Sequence, residues 1–421
     1  VGARTDFRIA DGEGSSGTWT ATTGTVTKSA GNADIYHNFF AVGRNNTSEG
    51  SVSGTLTLDG TTSGIISNEQ TNPSVEIGRY KDATGTVTLG GDMSIEWGND
   101  AQRGNHYVGV NNNANSTLTE GTLDKSASGA GTVNWFPSVL EVGTNTGAGT
   151  GAVVGTIDLS GAAAGSELSF RTNDLIIGRG HNATGTVTLG SDVDFNYAGN
   201  RSIYVGDNAT GTSDTSGILT IDGTMNASGS NNLGSIFVAH NNSNSGGATV
   251  NTIGLFDMTS ADASSSLEMD GDAVHIGLGK NAQGVMNVKG TFAAINNTTF
   301  YVGDRFNRLG DNATTGELNL ISGTIDIDNP AQFRVGVNES NTAEADAGTV
   351  AGTVDFSNAD PGSLFRMDGD NLRIGYGRNA TGTMDYNGTF EVINGTFIEI
   401  GDRQARVGDQ DTTGSYTQTG G

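Results

Sequence analysis

The chain contains no cysteine and only four prolines among its 421 residues. Without thiols there is no disulfide framework and none of the commonest structural zinc sites. An extracellular location stays open, because a long stack of β-strands needs no covalent staple. Basic residues are scarce: 21 Lys and Arg stand against 46 Asp and Glu, a net charge of −25. That balance disfavours nucleic acid and anionic membranes as partners and favours a solvated surface able to recruit cations. No apolar run approaches the roughly 18 residues of a membrane helix; the longest resemble FFAVG at 39–43. Amphipathic helices of three turns are also missing. The first residue is Val1, with no Met and no signal-like segment, which reads as a processed product or an internal fragment.

What the chain has in excess is glycine, 66 residues, with abundant Asn, Thr, Ser and Asp between short Val/Ile/Leu/Phe runs. This is the composition of many short strands and tight turns. It also repeats: HNATGTVTLG at 181–190 echoes KDATGTVTLG at 81–90, with weaker copies at 280–290 and 378–388. A finer period lies beneath. An apolar residue followed by Gly (Ala after Ile9) recurs at Ile9, Val42, Ile77, Val108, Val142, Ile177, Val205, Val238, Ile276, Val302, Val335, Ile374 and Ile400. The unit is one coil of about 33 residues, grouped in threes as short, medium and long, so that about 98 residues make a super-repeat. Super-repeats run over 77–176, 177–275 and 276–373, with partial units at both ends.

Within a short coil, three alternating runs are separated by Gly, Ser, Asp and Asn, which predicts three strands and three turns. Aligning the short coils gives inward columns: Val87, Val187, Met286 and Met384; Leu89, Leu189, Val288 and Tyr386; Met93, Val193, Phe292 and Phe390; Ile95, Phe195, Ala294 and Val392. The medium coils contribute Trp19, Leu118, Leu219, Leu318 and Tyr416. The fold class expected is all-β: a right-handed parallel β-helix (β-solenoid) of about 13 coils, continuous over 1–421. Neither end shows a polar or helical cap. The chain is then cut from a longer solenoid or stacks end to end, with Phe7, Ile9 and Trp19 at one open end and Ile398, Ile400 and Tyr416 at the other as the assembly interface.

The stretches IGRGHNATGTVTLG, VGDNATGTSDTSGILTIDGTMNASG and IGDRQARVGDQDTTGSYTQTGG resemble the Gly/Thr-rich repeats of bacterial autotransporter passengers and PEP-CTERM-associated surface proteins. The resemblance is one of repeat style and spans nearly the whole chain. It implies an exported, cell-surface or extracellular bacterial β-helix, structural or adhesive in role, and carries over no catalytic residue. No translocating barrel or sorting tail accompanies it.

Candidate chemistry is thin. Enzymes on this architecture converge several carboxylates across adjacent coils. Here Asp207, Asp304 and Asp402 recur at the super-repeat period, three rungs apart. That is about 14 Å, too far for a glycosidase pair. Asp270 with Asp272 and Asp368 with Asp370 are the weak Ca²⁺ candidates, although MDGD is also an ordinary acidic turn. The five His (37, 106, 181, 240 and 275) fall in different columns and are expected at exposed turn or strand positions. Lys81, His181, Lys280 and Arg378 form a column, each followed by Asp or Asn (82, 182, 281 and 379) suited to a left-handed turn. An outward Thr-x-Thr at 86/88 and 186/188 is not kept at 285/287, which argues against an ice-binding array. Long-coil insertions such as HNNSNSGGATVNT are expected to project as side loops.

The function expected is structural: an extracellular or cell-surface β-solenoid subunit or shaft segment of a filament that assembles end to end. Its partners are itself or flanking solenoid coils. It is not expected to be an enzyme, to hold a cofactor, to bind nucleic acid or to enter a membrane. The alternative is an adhesin binding host or matrix glycans through the long-coil loops; a polysaccharide lyase or hydrolase ranks third.

Overall fold

The computed structural model describes residues 6–11, 23–32, 34–46, 50–68, 74–99, 103–112, 116–147, 150–170, 174–197, 202–208, 213–227, 234–241, 250–270, 273–279, 281–295, 297–305, 313–338, 348–368, 371–402 and 411–420. Among them there is no helix, and the strands pair in parallel as a β-solenoid, consistent with the right-handed winding of parallel crossovers. The chain divides into two compact units. One comprises Val1–Tyr197 with Leu219–Thr224, and the other Ala198–Ile218 with Met225–Gly421.

In the first unit the anchor face is built from Asp6–Asp11, Phe39–Asn45, Ser74–Tyr80, Gly104–Asn111, Pro137–Asn145 and Leu175–Gly180. The register places Ile9, Val42, Ile77, Val108, Val142 and Ile177 in one buried column. A second face aligns Gly24, Gly54, Gly85, Gly121, Gly155 and Gly185. A third face includes Met93–Trp97, Val133–Trp135, Ser166–Phe170 and Val193–Tyr197. The second unit repeats the plan. Its anchor strands are Ile203–Asn208, Ile236–Asn241, Ala273–Gly279, Thr299–Arg305, Gln332–Asn338, Asn371–Gly377 and Phe397–Ile400.

The predicted inward columns of the short coils are buried, save at the last third-face rung, where Phe390 is half-buried and Val392 is 42% exposed. One medium-coil residue was misplaced. Leu118 points outward and is 42% exposed, and Leu123 takes its column opposite Val87. Glycine, not leucine, sets the register. A Cβ on Gly121 would lie 2.1 Å from the Gly109 nitrogen and 2.3 Å from the Ile77 carbonyl oxygen, so Gly121 must sit at the corner and Leu123 follows two residues later. Trp19 lies outside the described residues.

That corner is a seam where anchor and second faces meet backbone to backbone. The Ile-Gly and Val-Gly steps and the glycines of the second face interlock along it, with no room for a side chain.

The three coil types also interlock by hydrogen bonds. After the anchor, three long coils carry a buried Asn whose Nδ2 donates to the tight turn of the next, short coil: Asn45 to Lys81 O (2.7 Å), Asn145 to His181 O (2.8 Å) and Asn338 to Arg378 O (2.6 Å). That turn closes on Asp82, Asn182, Asn281 or Asn379, with φ of 49°, 50°, 48° and 46°, the left-handed conformation expected from the sequence. Its carbonyl accepts from the long coil's next strand, at Val52, Val153, Thr252 and Val350 N–H. The medium coil completes the set. Thr119 Oγ1 donates to Tyr80 O (2.7 Å), Thr314 Oγ1 to Gly279 O (2.5 Å), and Thr412 Oγ1 to Gly377 O. One inward column accordingly reads Val/Thr in long coils, Ala in short coils (Ala83, Ala183, Ala282, Ala380) and Thr in medium coils.

The seam makes a directional prediction. Gly155→Ala forces a Cβ to within 2.3 Å of the backbone at Gly143 and Val108 and should cost on the order of 3 kcal/mol or more. Gly165, with φ +85° and open space around it, should lose only about 1–2 kcal/mol on change to Ala, the left-handed penalty. Urea unfolding midpoints of the two variants should therefore separate clearly.

Candidate functional site

Outward positions of a solenoid are ordinarily solvated, yet those of the anchor face are largely buried. In the first unit, Arg44 is 7% exposed and Glu76 3%. The Arg44 and Arg79 guanidinium groups both donate to the Glu76 carboxylate. Arg79 also lies over the Tyr107 ring, 3.5 Å from its centroid, and Arg44 lies over Phe39 and Tyr80. Next in this column, burial pushes the Glu141 carboxyl pKa up, an effect the nearby Arg79 and Arg179 oppose. Charges here are held by partners from the neighbouring rung, the condition under which burial is tolerated.

In the second unit the same column is aromatic. Successive rungs place Tyr204, Phe237, His275 and Tyr301 in register. Their rings stack at 4.8, 4.6 and 4.9 Å with interplanar angles of 2°, 4° and 10°. The spacing is that of the strands themselves. Arg334 closes the ladder over Tyr301 at 5.4 Å. Two buried acids flank it: Asp207 Oδ1 lies 3.0 Å from His240 Nδ1, and Asp304 Oδ2 lies 2.8 Å from Arg334 Nε.

Chemically, this arrangement is a set of close pairs. Asp207 faces His240 and Asp304 faces Arg334, each from the next coil, and the ring faces cover one another. A sugar stacks on a ring face, and the ladder turns its edges outward. Asp207 and Asp304 are thus in separate pairs, as their spacing in the sequence implied.

Of the Ca²⁺ candidates, Asp270 and Asp368 are half-buried, and Asp368 Oδ1 accepts from Asn394 Nδ2 at 2.6 Å. Asp272 and Asp370 lie outside the described residues. Among the described residues, no group of three or more His, Cys, Asp or Glu is placed to hold a metal ion. The long-coil insertions fall partly outside them as well, at 148–149, 242–249 and 339–347.

Of the assembly residues, Ile398 and Ile400 are 42% and 43% exposed, beside Phe397 at 66%. Tyr416 and Phe7 are half-buried. Ile9 is only 6% exposed, so the open rung expected there is already covered.

The expectation of exposed histidines fails for all five, since His181, His240 and His275 are half-buried. His37 and His106 are fully buried, and His275 is sandwiched between rings. Period-two alternation puts His37 and His106 on the inward side, a signal outweighed in the sequence by their polar character. A buried lysine was also missed. Lys125 occupies the inward position that Leu89 and Leu159 hold in adjacent coils. Its ammonium donates to Gly91 O (2.9 Å), Ala127 O (3.3 Å) and Gly161 O (3.4 Å), and desolvation lowers its pKa. The signal was its position two residues after Leu123.

No protein-family model, curated protein or solved structure matches the chain.

Two outcomes follow. Burial, helped by the nearby His240, depresses the His275 pKa to about 3. Its contribution to stability is complete above the unfolded value of about 6.5 and is lost as pH falls from there toward the folded value. His275→Tyr, which keeps a ring in the ladder, should flatten the decline of the urea midpoint between about pH 6.5 and 4. Lys125 should resist acylation by an amine reagent in the native chain while the partly exposed Lys81 reacts, read by peptide mass mapping.

Proposed function

We propose that the chain is a structural β-solenoid, a shaft segment that associates end-on with a second copy of itself, at the surface of a bacterium or outside it. The observation that carries this reading is the rung Phe397–Ile400. Ile398 and Ile400 continue the buried columns of Leu372 and Ile374, yet lie open beside the exposed Val392 and Ile393. An open rung presents apolar side chains and unpaired backbone groups together, the chemistry that another strand satisfies. In an end-on contact the Ile398 and Ile400 rung faces the Phe7 and Arg8 end of a second copy. Since Ile9 is covered within its own chain, contact on that side runs through Phe7 and Arg8. The interlock of coil types supports a structural role, because it stiffens the stack without converging reactive groups. The surface location rests on the repeat style alone.

Sedimentation velocity over a wide concentration range, with negative-stain microscopy, tests the reading. The chain should associate end-on as concentration rises, and Ile398→Glu combined with Ile400→Glu should leave folded monomers by circular dichroism. A chain that stays monomeric at every concentration overturns the proposal.

A further inference from the structure

The interior of the first unit holds a cluster that a purely structural stack does not require. His37, Trp97, His106 and Trp135 are all fully buried. The Trp97 indole N–H donates to His37 Nε2 at 3.1 Å, and the Trp135 indole N–H donates to His106 Nδ1 at 2.5 Å. The two indoles meet edge-on at 5.0 Å, and His106 lies 5.6 Å from Trp135 and 6.1 Å from Trp97. An indole only donates, and an imidazolium only donates. Each bond therefore exists with neutral imidazole and with no other form.

The surroundings offer little to a cation. Phe40 packs against both His37 and Trp97, and His106 is flanked in register by Val75 and Leu140. The charged side chains of these anchor strands, Glu76, Arg79 and Glu141, belong to the outer layer, with Tyr107 among them. Arg103, at the same corner, donates to the Ser169 and Pro137 carbonyls. With Nε2 accepting, the His37 proton sits on Nδ1, which is buried and meets no partner among the described residues.

We propose that the two Trp–His pairs are an acid-sensitive latch inside the stack, where Trp97 and Trp135 of the third face meet His37 and, from the anchor face, His106. Protonating an imidazole removes the acceptor of a buried indole and places a cation among apolar rings, so acidification favours an opened state in which water reaches both. The sign is set by burial, which depresses the His37 pKa to about 4. The opened state takes up protons from about pH 6.5 downward, whereas the closed state resists until nearer 4.

Tryptophan emission of the full chain in a Trp19→Phe background reports on Trp97 and Trp135 alone. Between about pH 6 and 4 the emission should shift to the red in one step, reverse on neutralisation, and precede the loss of β-sheet circular dichroism. His37→Gln with His106→Gln keeps an acceptor that does not titrate. It should move the step down by about one pH unit or more, a tenfold higher proton concentration. His181→Gln, outside the cluster, should leave it in place. An unmoved step in the double variant, or constant emission of the parent down to pH 3, overturns the latch. Should the double variant already emit in the red at neutral pH, imidazole proton resonances of the parent chain decide. Titration of His37 together with the emission step supports the latch, and titration near pH 6.5 with emission unchanged overturns it.

Discussion

The fold depends on the absence of side chains along one corner. Where anchor and second faces meet, atoms of one strand occupy the place a Cβ would take on the other: a Cβ on Gly85 would stand 2.1 Å from the Val42 oxygen. Contacts of this closeness set register more sharply than apolar packing does, because backbone cannot re-rotamer. An apolar residue can slide by two positions and still face inward; a glycine at the seam cannot slide at all. The apolar columns, the turn placements and the outer-layer pairings all inherit their alignment from it.

Given that alignment, the outer anchor face becomes a second ordered layer. Side chains one strand spacing apart must either repel or match. In the first unit Arg44 and Arg79, on neighbouring rungs, converge on Glu76, and in the second aromatic rings stack. Buried ion pairs contribute modest net stability once desolvation is counted. Their effect here is selective, since a coil that did not bring Arg44 beside Glu76 would leave a buried carboxylate short of a partner. The large negative charge of the chain is thereby kept on faces where water can solvate it.

Much of the architecture was legible because a solenoid writes its geometry as a period. Ile77, Ile177, Ile276 and Ile374 mark the spacing, and residues such as Val187 and Phe292 follow from alternation alone. The left-handed turns at Asn182 and Asn379 were equally readable, since Asn tolerates that conformation. Leu118 was not, because an apolar residue competes with a glycine for the register and only the three-dimensional corner shows which prevails. Lys125, His37 and His106 escaped for a different reason. Residue type argues for the surface, and most of their interior partners, three carbonyls in one case and indole N–H groups in the others, are supplied from about one or two coils away along the sequence. The aromatic ladder was invisible for the same reason: Tyr204, Phe237, His275 and Tyr301 look unrelated until register stacks them.

The hydrogen bonds between long, short and medium coils bear on how such a chain changes length over generations. Long and short coils present groups that their successors satisfy: an amide for a tight turn, then a turn carbonyl for a threonine hydroxyl. A gene duplication that copied one coil would set a long coil against a long coil and leave the amide without its turn. Copying three preserves every partner. The heritable unit of growth is therefore the super-repeat, and relatives of this chain should differ in length by multiples of about a hundred residues rather than by thirty-three.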